Sequence, residues 1–133
     1  MKRRIALIED NFENRLLARL ILAPHYEVAE YETGAAAIAG LANQPPDLLL
    51  LDISLPDMDG TELLAHVRQD ATLRHLPVIA FTAHASDQER SRFLALGFDE
   101  YISKPITDKT SMLKLIEGVL ASQAAAPDPP AAE

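Results

Sequence analysis

Five short apolar runs alternate with segments of helical periodicity, and this alternation restricts the fold more than any other feature of the chain. The predicted strands cover residues 4–8, 26–31, 47–51, 77–82 and 100–103. Several of these runs are apolar throughout, which is typical of strands that are covered on both faces. Strands that alternate with helices predict an α/β fold built on a parallel sheet.

Each predicted strand is followed by a helical pattern with recognisable ends. Asn11, Thr33 and Ser86 are candidate N-caps, and Ser86 with Glu89 forms an S-x-x-E capping box. Gly97 suits the position after the end of a helix. Apolar residues at helical spacing are expected to face the core: Phe12, Leu16, Leu17, Leu20, Ile21, Ile38, Leu41, Leu63, Leu64, Val67, Phe93, Leu96, Met112, Leu113, Ile116, Val119 and Leu120.

Length and composition predict one domain with a tail. A chain of 133 residues, 48% of them hydrophobic, is long enough to bury the core of a single globular domain. From residue 122 the sequence becomes "SQAAAPDPPAAE", which cannot pack a core. We therefore expect a domain over residues 1–121 and a flexible, Ala- and Pro-rich tail over residues 122–133.

The charge and the absence of certain segments exclude several classes of protein. A net charge of −8 disfavours broad electrostatic binding to nucleic acid or to anionic lipid. No apolar run approaches the length that spans a bilayer, and the N-terminus lacks the apolar core of a signal peptide, so a cytoplasmic location is expected. The chain has no cysteine, which excludes disulfides and thiolate metal sites.

Carboxylate, hydroxyl and ammonium side chains stand at the ends of four predicted strands. Glu9 and Asp10 follow the first strand, Asp52 the third and Lys104 the fifth, while Thr82 ends the fourth. In an open parallel sheet, the carboxyl ends of the strands form the ligand-binding edge. An aspartate at the end of the apolar run "LLLLD" is costly to bury alone, so it requires a partner cation or a functional role.

These residue types fit phosphoryl transfer. Carboxylates held close together repel one another unless a cation joins them, and oxygen ligands suit a hard divalent ion such as Mg²⁺. A threonine hydroxyl and a lysine ammonium bind phosphoryl oxygens. A carboxylate nucleophile, a divalent ion, a hydroxyl and a lysine together predict formation of an aspartyl phosphate on Asp52.

Four segments carry a resemblance to a known family. "LIEDN", "LLLLDISLPDMDG", "PVIAFTAHA" and "GFDEYISKPI" stand in the order and at the spacing of the receiver domain of two-component response regulators. From about residue 4 to residue 120 the chain resembles this family, including its single-domain chemotaxis and cell-cycle regulators. The resemblance implies a flavodoxin-like, doubly wound sheet of strand order 2-1-3-4-5 with helices on both faces. The first and third strands are neighbours in that order, so their carboxylates are expected to converge.

The resemblance also implies roles for residues of the acidic site. Asp52 matches the phosphoacceptor. Glu9 and Asp10 match the acidic pair that holds Mg²⁺ together with Asp52 and the backbone carbonyl of Ser54. Glu9 stands where many members carry Asp. Thr82 matches the switch hydroxyl that turns toward the phosphoryl group.

Further roles come from the same resemblance. Lys104 matches the lysine that approaches the phosphoryl group, and its peptide bond to Pro105 is expected to be cis. Tyr101 matches the aromatic residue whose rotamer reports the switch. Ser54 and His84 occupy positions that tune how fast water attacks the phosphoryl group.

The expected function is that of a phosphorylation-controlled signalling module in a two-component system or phosphorelay. A histidine kinase or a histidine phosphotransfer protein supplies the phosphoryl group, and a surface formed by the fourth helix, fifth strand and fifth helix binds a downstream protein. No output domain, nucleic acid or membrane partner is expected, and homodimer formation stays open. The chain is not expected to be an enzyme beyond catalysing its own phosphorylation and dephosphorylation.

Two other functions compete with this interpretation. One is a receiver fold that binds protein partners independently of phosphorylation. The other is a phosphatase of the haloacid dehalogenase type, which needs a second aspartate where this chain has Ser54. A flavodoxin-like cofactor binder is disfavoured, because Glu9 and Asp10 would repel a flavin phosphate.

Overall fold

The computed structural model describes residues 2–83 and 86–125. Five strands alternate with five helices along this part of the chain. In chain order they are β1 (Arg4–Ile8), α1 (Phe12–Leu22), β2 (Glu27–Tyr31), α2 (Gly34–Leu41), β3 (Leu48–Asp52), α3 (Gly60–Gln69), β4 (Val78–Thr82), α4 (Asp87–Leu96), β5 (Glu100–Ser103) and α5 (Lys109–Ala125).

The five strands form one parallel sheet in the order β2-β1-β3-β4-β5. The prediction of a doubly wound, flavodoxin-like fold is therefore confirmed. The predicted third strand was placed one residue too early, since β3 includes Asp52 as its last residue. The phosphoacceptor candidate is thus fixed by the sheet ladder itself, opposite Phe81 of β4.

The core lies in two layers, one on each face of the sheet. Successive side chains of a strand point to opposite faces, so each buried strand feeds both layers. Leu49 and Leu51 pack with residues of α2, α3 and α4, whereas Leu48 and Leu50 pack with residues of α1 and α5. Every residue of β3 is buried, which explains why its sequence is apolar without alternation.

The first helix presents a different face to the core than its sequence pattern predicts. The expected apolar stripe is wrong at three positions, since Phe12 is 64%, Leu20 61% and Leu17 39% exposed. The residues of α1 that are fully buried are Ala18 and Leu22. At about 100° per residue, Leu20 lies roughly 200° around the helix from Ala18 and so points away from the sheet. Ala18 and Leu22, four residues apart, lie on one face of the helix and are its inward residues.

The predicted helix caps are confirmed. Side-chain oxygens of Asn11, Thr33 and Ser86 accept backbone N–H groups in the first turns of α1, α2 and α4. Gly97 follows α4 with a φ of 114°, a left-handed conformation that glycine adopts without strain. On α4 the apolar prediction is divided, because Phe93 is buried but Leu96 is 47% exposed.

The C-terminal helix passes the predicted end of the domain. Residues 122–125, which were assigned to the tail, continue α5 to Ala125. The remainder of the predicted tail, residues 126–133, lies outside the described residues, so the division of the chain at residue 121 stays a prediction. Within the ranges 2–83 and 86–125, none of the helices combines the length and the apolar character that a membrane crossing requires.

The loop that joins β3 to α3 is fastened at both of its sides. Asp57 accepts the backbone N–H groups of Gly34 and Ala35 at 2.9 Å each, which ties the loop to the N-terminus of α2. At the other side, the N–H of Gly60 donates to the carbonyl oxygen of Ile53 at 2.8 Å. A Cβ at position 60 would stand 2.7 Å from the carbonyl oxygen of Asp52. The loop that follows Asp52 therefore has little freedom.

Replacing Gly60 with alanine tests this close approach. Because the added methyl meets rigid backbone, we expect Gly60→Ala to lower the free energy of unfolding by about 1–3 kcal/mol. Gly118→Ala is the matched control, since nothing lies within 4 Å of a Cβ there and the residue is inside α5. There alanine should raise the stability by about 0.5–1 kcal/mol. Urea denaturation measures both variants, and equal effects would contradict the steric explanation.

The hydrogen bonds between Asp57 and α2 predict that the stability of the protein depends on pH. Hydrogen bonds from Gly34 and Ala35 lower the pKa of Asp57 below its ordinary value of 3.8. A carboxyl whose pKa is lowered by folding adds stability above its ordinary pKa and loses it as the pH falls through the folded value. Asp57→Asn should therefore destabilise the protein at pH 7, and this loss should shrink at acidic pH.

Thr33→Ala is the control for this measurement. Thr33 Oγ1 accepts the N–H of Ala36 at the same helix end, at 3.0 Å, but a threonine does not titrate. Its loss of stability should stay constant from pH 7 to pH 3, as measured by urea denaturation. A constant loss for Asp57→Asn over the same range would argue against the ionised form as the capping group.

Candidate functional site

Strand register brings the predicted site residues to one edge of the sheet. Ile8 of β1 pairs with Leu51 of β3, so Glu9 and Asp52 are the next residues on two adjacent parallel strands. On the other side of β3, Thr82 of β4 pairs with Ser103 of β5, and Lys104 follows. All of these residues stand at the carboxyl ends of their strands, which is the ligand-binding edge of this kind of sheet.

Three carboxylates meet at this edge. One oxygen from each of Glu9, Asp10 and Asp52 lies within 4.8 Å of the others. Glu9 is fully buried and Asp52 is 2% exposed, whereas Asp10 is open to solvent. Charged groups are rarely buried unless they are paired, so the two enclosed carboxylates require a cation.

Lys104 supplies a positive charge to both buried carboxylates. Its Nζ lies 2.7 Å from Glu9 Oε1 and 3.0 Å from Asp52 Oδ1. The same ammonium lies 5.0 Å from the centre of the Phe81 ring, which forms an apolar wall of the site. A single ammonium thus joins the ends of β1, β3 and β5.

The pKa shifts of Lys104 and Glu9 indicate that the ammonium does not fully offset the cost of burying the carboxylates. Burial would lower the pKa of Lys104, but the hydrogen bonds and charges of Glu9 and Asp52 outweigh it and raise that pKa. Burial also raises the pKa of Glu9, and the negative charge of Asp52 adds to this effect, against the opposing bonds from Lys104 and the Asn11 N–H. The ammonium is therefore held firmly charged, while the carboxylates still repel one another.

The charge balance fits a divalent cation. Three carboxylates and one ammonium leave two negative charges in excess. The donors are oxygens alone, without histidine or cysteine, which is the chemistry that Mg²⁺ prefers. Asp10 is the exposed member of the group and so is open to an ion that keeps several waters.

The loop after Asp52 contributes a backbone contact to the site. The N–H of Ser54 donates to Asp52 Oδ1 at 3.0 Å, so this oxygen accepts from both Ser54 and Lys104. Ser54 also forms a single antiparallel bridge with Asp59, the residue that caps α3. The orientation of the Asp52 carboxylate is thus set from two directions.

The remaining predicted residues lie on β4, β5 and the turn that follows. Thr82 is buried, and its carbonyl oxygen accepts the N–H of Lys104 at 2.8 Å. The peptide bond between Lys104 and Pro105 is cis. Tyr101 is half-buried, with the guanidinium of Arg90 lying 5.9 Å from its ring centre. His84 lies outside the described residues.

A cavity of about 340 Å³ lies beside Tyr101, and its lining does not include Glu9, Asp10 or Asp52. Residues of β5, the following turn and α5 form most of its lining, and Arg90 of α4 closes one side. Arg90 forms an ion pair with Glu100 at 3.3 Å, which fixes α4 against β5 next to Tyr101. The predicted switch residue thus lines an open groove.

The sequence analysis did not identify two residues that support the site. Asp57 carries no signal beyond its place in a Pro- and Asp-rich loop, because its partners belong to a distant helix. Arg15 donates from Nη1 to the carbonyl oxygens of Glu9 and Asp10, at 3.0 and 3.4 Å. Its position one turn after the Asn11 cap was a usable signal, since helical side chains point back toward the N-terminus.

Comparisons with known proteins agree with this geometry. A family model described as "Response regulator receiver domain" matches residues 5–117. The polar-differentiation response regulator DivK of Brucella ovis is 40% identical over 108 residues, which are 80% of this chain and 88% of DivK.

Solved structures show the same fold. A CheY-like response regulator receiver domain protein from Methanospirillum hungatei JF-1 superposes with a TM-score of 0.82 at 31% identity, covering 93% of this chain and 98% of that one. The receiver domain of the sensor histidine kinase PA1611 from Pseudomonas aeruginosa PAO1 has a TM-score of 0.82 at 27% identity, covering 91% and 99% of the two chains. That crystal structure has a magnesium ion coordinated in its active-site cleft.

The fold, the acidic edge and these relatives lead to one family. Its general role is phosphorylation-based signalling. This chain belongs to the response regulator receiver domains of two-component systems.

Proposed function

We propose that this chain accepts a phosphoryl group on Asp52 in a Mg²⁺-dependent reaction. The observation that carries the proposal is the group of three carboxylates around one ammonium, with two negative charges left for a divalent cation. Glu9, Asp10 and Asp52 would hold the ion, together with the backbone carbonyl of Ser54. When bound, Mg²⁺ neutralises charge on the carboxylates and on the incoming phosphoryl oxygens.

The reaction requires one nucleophile from the protein, which is the Asp52 carboxylate. A carboxylate oxygen of Asp52 attacks the phosphorus atom of a phosphohistidine, a P–O bond forms, and the P–N bond to the imidazole breaks. The imidazole leaves with the electron pair of that bond and takes up a proton. Lys104 already lies 3.0 Å from Asp52, so its ammonium is close to the oxygens of the new phosphoryl group.

The switch follows from the added charge. A phosphoryl group on Asp52 would draw the Thr82 hydroxyl and the Lys104 ammonium toward its oxygens. Because Thr82 and Lys104 belong to the ends of β4 and β5, their movement bears on Tyr101 and on the groove that it lines. The proposed readout is a change in the surface of α4, β5 and α5, where a downstream protein binds.

The proposed partners are a sensor histidine kinase or a histidine phosphotransfer protein as donor, and a protein target at the α4–β5–α5 surface. The chain acts on itself and not on an external substrate, since Ser54 replaces the second aspartate that a haloacid dehalogenase-type phosphatase uses. Roles of Ser54 and His84 in tuning hydrolysis and a cytoplasmic location stay predictions, and homodimer formation stays open. The competing function is a receiver fold that binds its partners without phosphorylation.

Mg²⁺ should stabilise the protein through the acidic site. An ion that binds only the folded state adds about 2.7 kcal/mol at a concentration 100 times its Kd, so the Tm should rise with Mg²⁺. Asp10→Asn removes an exposed ligand and should abolish the rise. Glu62→Gln, an exposed carboxylate on α3, changes the net charge equally and should keep it. A Tm that rises equally in Asp10→Asn would place the ion elsewhere.

Intact mass spectrometry after incubation with acetyl phosphate and Mg²⁺ tests the phosphoacceptor. We expect one phosphoryl adduct on the wild type, stable in acid and labile in base, as an acyl phosphate should be. Asp52→Asn should carry no adduct, because its amide cannot act as the nucleophile. Glu62→Gln, which removes an exposed carboxylate of α3 outside the site, should be modified normally.

The opposite result would favour the competing function. If the wild type gains no adduct from acetyl phosphate or from a phosphorylated cognate kinase, Asp52 is not a phosphoacceptor. A downstream partner that binds wild type and Asp52→Asn equally would then identify a phosphorylation-independent interaction module.

A further inference from the structure

Arg15 is an enclosed charged side chain outside the set of site residues. It belongs to α1, and only 11% of its side chain is exposed. Arginine is rarely enclosed to this degree unless its guanidinium is bound on several sides. Its partners therefore indicate what the residue does.

One side of the guanidinium binds the loop that carries the acidic pair. Nη1 donates to the carbonyl oxygen of Glu9 at 3.0 Å and, more weakly, to that of Asp10 at 3.4 Å. The opposite backbone atom of Glu9 is also fixed, since its N–H donates to the carbonyl oxygen of Tyr31 at 3.0 Å. Both polar backbone groups of Glu9 are thus occupied by fixed partners.

The other side of the guanidinium is anchored to β2 and to the residue after it. Nε lies 3.2 Å from Glu30 Oε1, and Nη2 lies 3.1 Å from Glu32 Oε1. The ring of Phe12 covers the group at 5.7 Å. A planar group with a rigid fork of donors, held at this many points, fixes the atoms that it binds.

The charge of Arg15 is already balanced where it stands. Glu30 and Glu32 both approach its guanidinium, and Glu30 is shared with Arg19 at 3.4 Å. The effect of Arg15 on the carboxylates of Glu9 and Asp10 is therefore geometric more than electrostatic. Outer partners that orient the ligands of a metal site commonly set its affinity.

From these contacts we infer that Arg15 is a positioning residue: it fixes the backbone of Glu9 and Asp10 against β2 and thereby sets the affinity of the acidic site for a divalent cation. This inference rests on the proposed function, because it assumes that the carboxylate group binds Mg²⁺. It assigns Arg15 no contact with the ion or with the phosphoryl group.

Isothermal titration of the full chain with Mg²⁺ tests the inference. We expect Arg15→Gln and Arg15→Lys to raise the Kd for Mg²⁺ by about 10-fold or more, which is the usual effect of removing such an orienting partner. Arg15→Lys keeps the charge but loses the fork, so it separates geometry from electrostatics. Arg19→Gln is the matched control, because Arg19 shares Glu30 but none of its side-chain hydrogen bonds in the described part of the chain reaches the loop. Its Kd should stay within about twofold of the wild type, as for an exposed ion pair.

A second readout separates positioning from mere stabilisation. The Tm without metal reports any general loss of stability, whereas the Kd reports the geometry of the site. Glu32→Gln provides a milder variant that should fold normally, because the Glu32 side chain is 70% exposed. It loosens one anchor of Arg15 and should weaken Mg²⁺ binding in the same direction but less.

Several outcomes would overturn the inference. An unchanged Kd in both Arg15 variants, whatever their Tm, would make the residue structural only. A lower Kd for Mg²⁺ in Arg15→Gln would show that the charge of Arg15 opposes binding of the ion. An equally raised Kd in Arg19→Gln would show a general effect of charge and not of position. A wild type that binds no Mg²⁺ would overturn the proposed metal site as well, a result that the other outcomes do not produce.

Discussion

The ion pair of Lys104 with Glu9 and Asp52 is the interaction on which the rest of the acidic edge depends. Two enclosed carboxylates compete for one ammonium, and a third carboxylate stands beside them at the solvent. Such a group is stable enough to fold and still short of positive charge. The same imbalance that makes the group costly to bury is what the proposed divalent ion would relieve.

The sheet makes this costly arrangement tolerable. Every residue of β3 and β4 is buried, so the ends of these strands have almost no freedom to relax away from one another. The loop after Asp52 is closed by Gly60 on one side and by the bond of Asp57 to α2 on the other. Rigid surroundings are what allow like charges to be kept within a few ångströms, because a softer frame would let them separate.

Much of this architecture could be predicted from the sequence, because its signals are local. The continuous apolar runs, the caps at Asn11, Thr33 and Ser86 and the polar residues at strand ends all depend on near neighbours. The errors arose where distant contacts decide. Helical spacing alone could not show that Ala18, rather than Phe12 or Leu20, faces the sheet. Nothing near Asp57 in the chain identifies its partners in α2, and only the loop contact of Arg15, not its ion pairs with Glu30 and Glu32, had a local signal.

The distance along the chain between Glu9 and Lys104, which is 95 residues, has a consequence for synthesis. As the protein leaves the ribosome, the carboxylates of β1 and β3 emerge well before the ammonium that balances them. A partly made chain therefore carries Asp52 without the ammonium that pairs with it. The acidic site is therefore assembled only when the whole sheet has formed, because its members come from the ends of β1, β3 and β5.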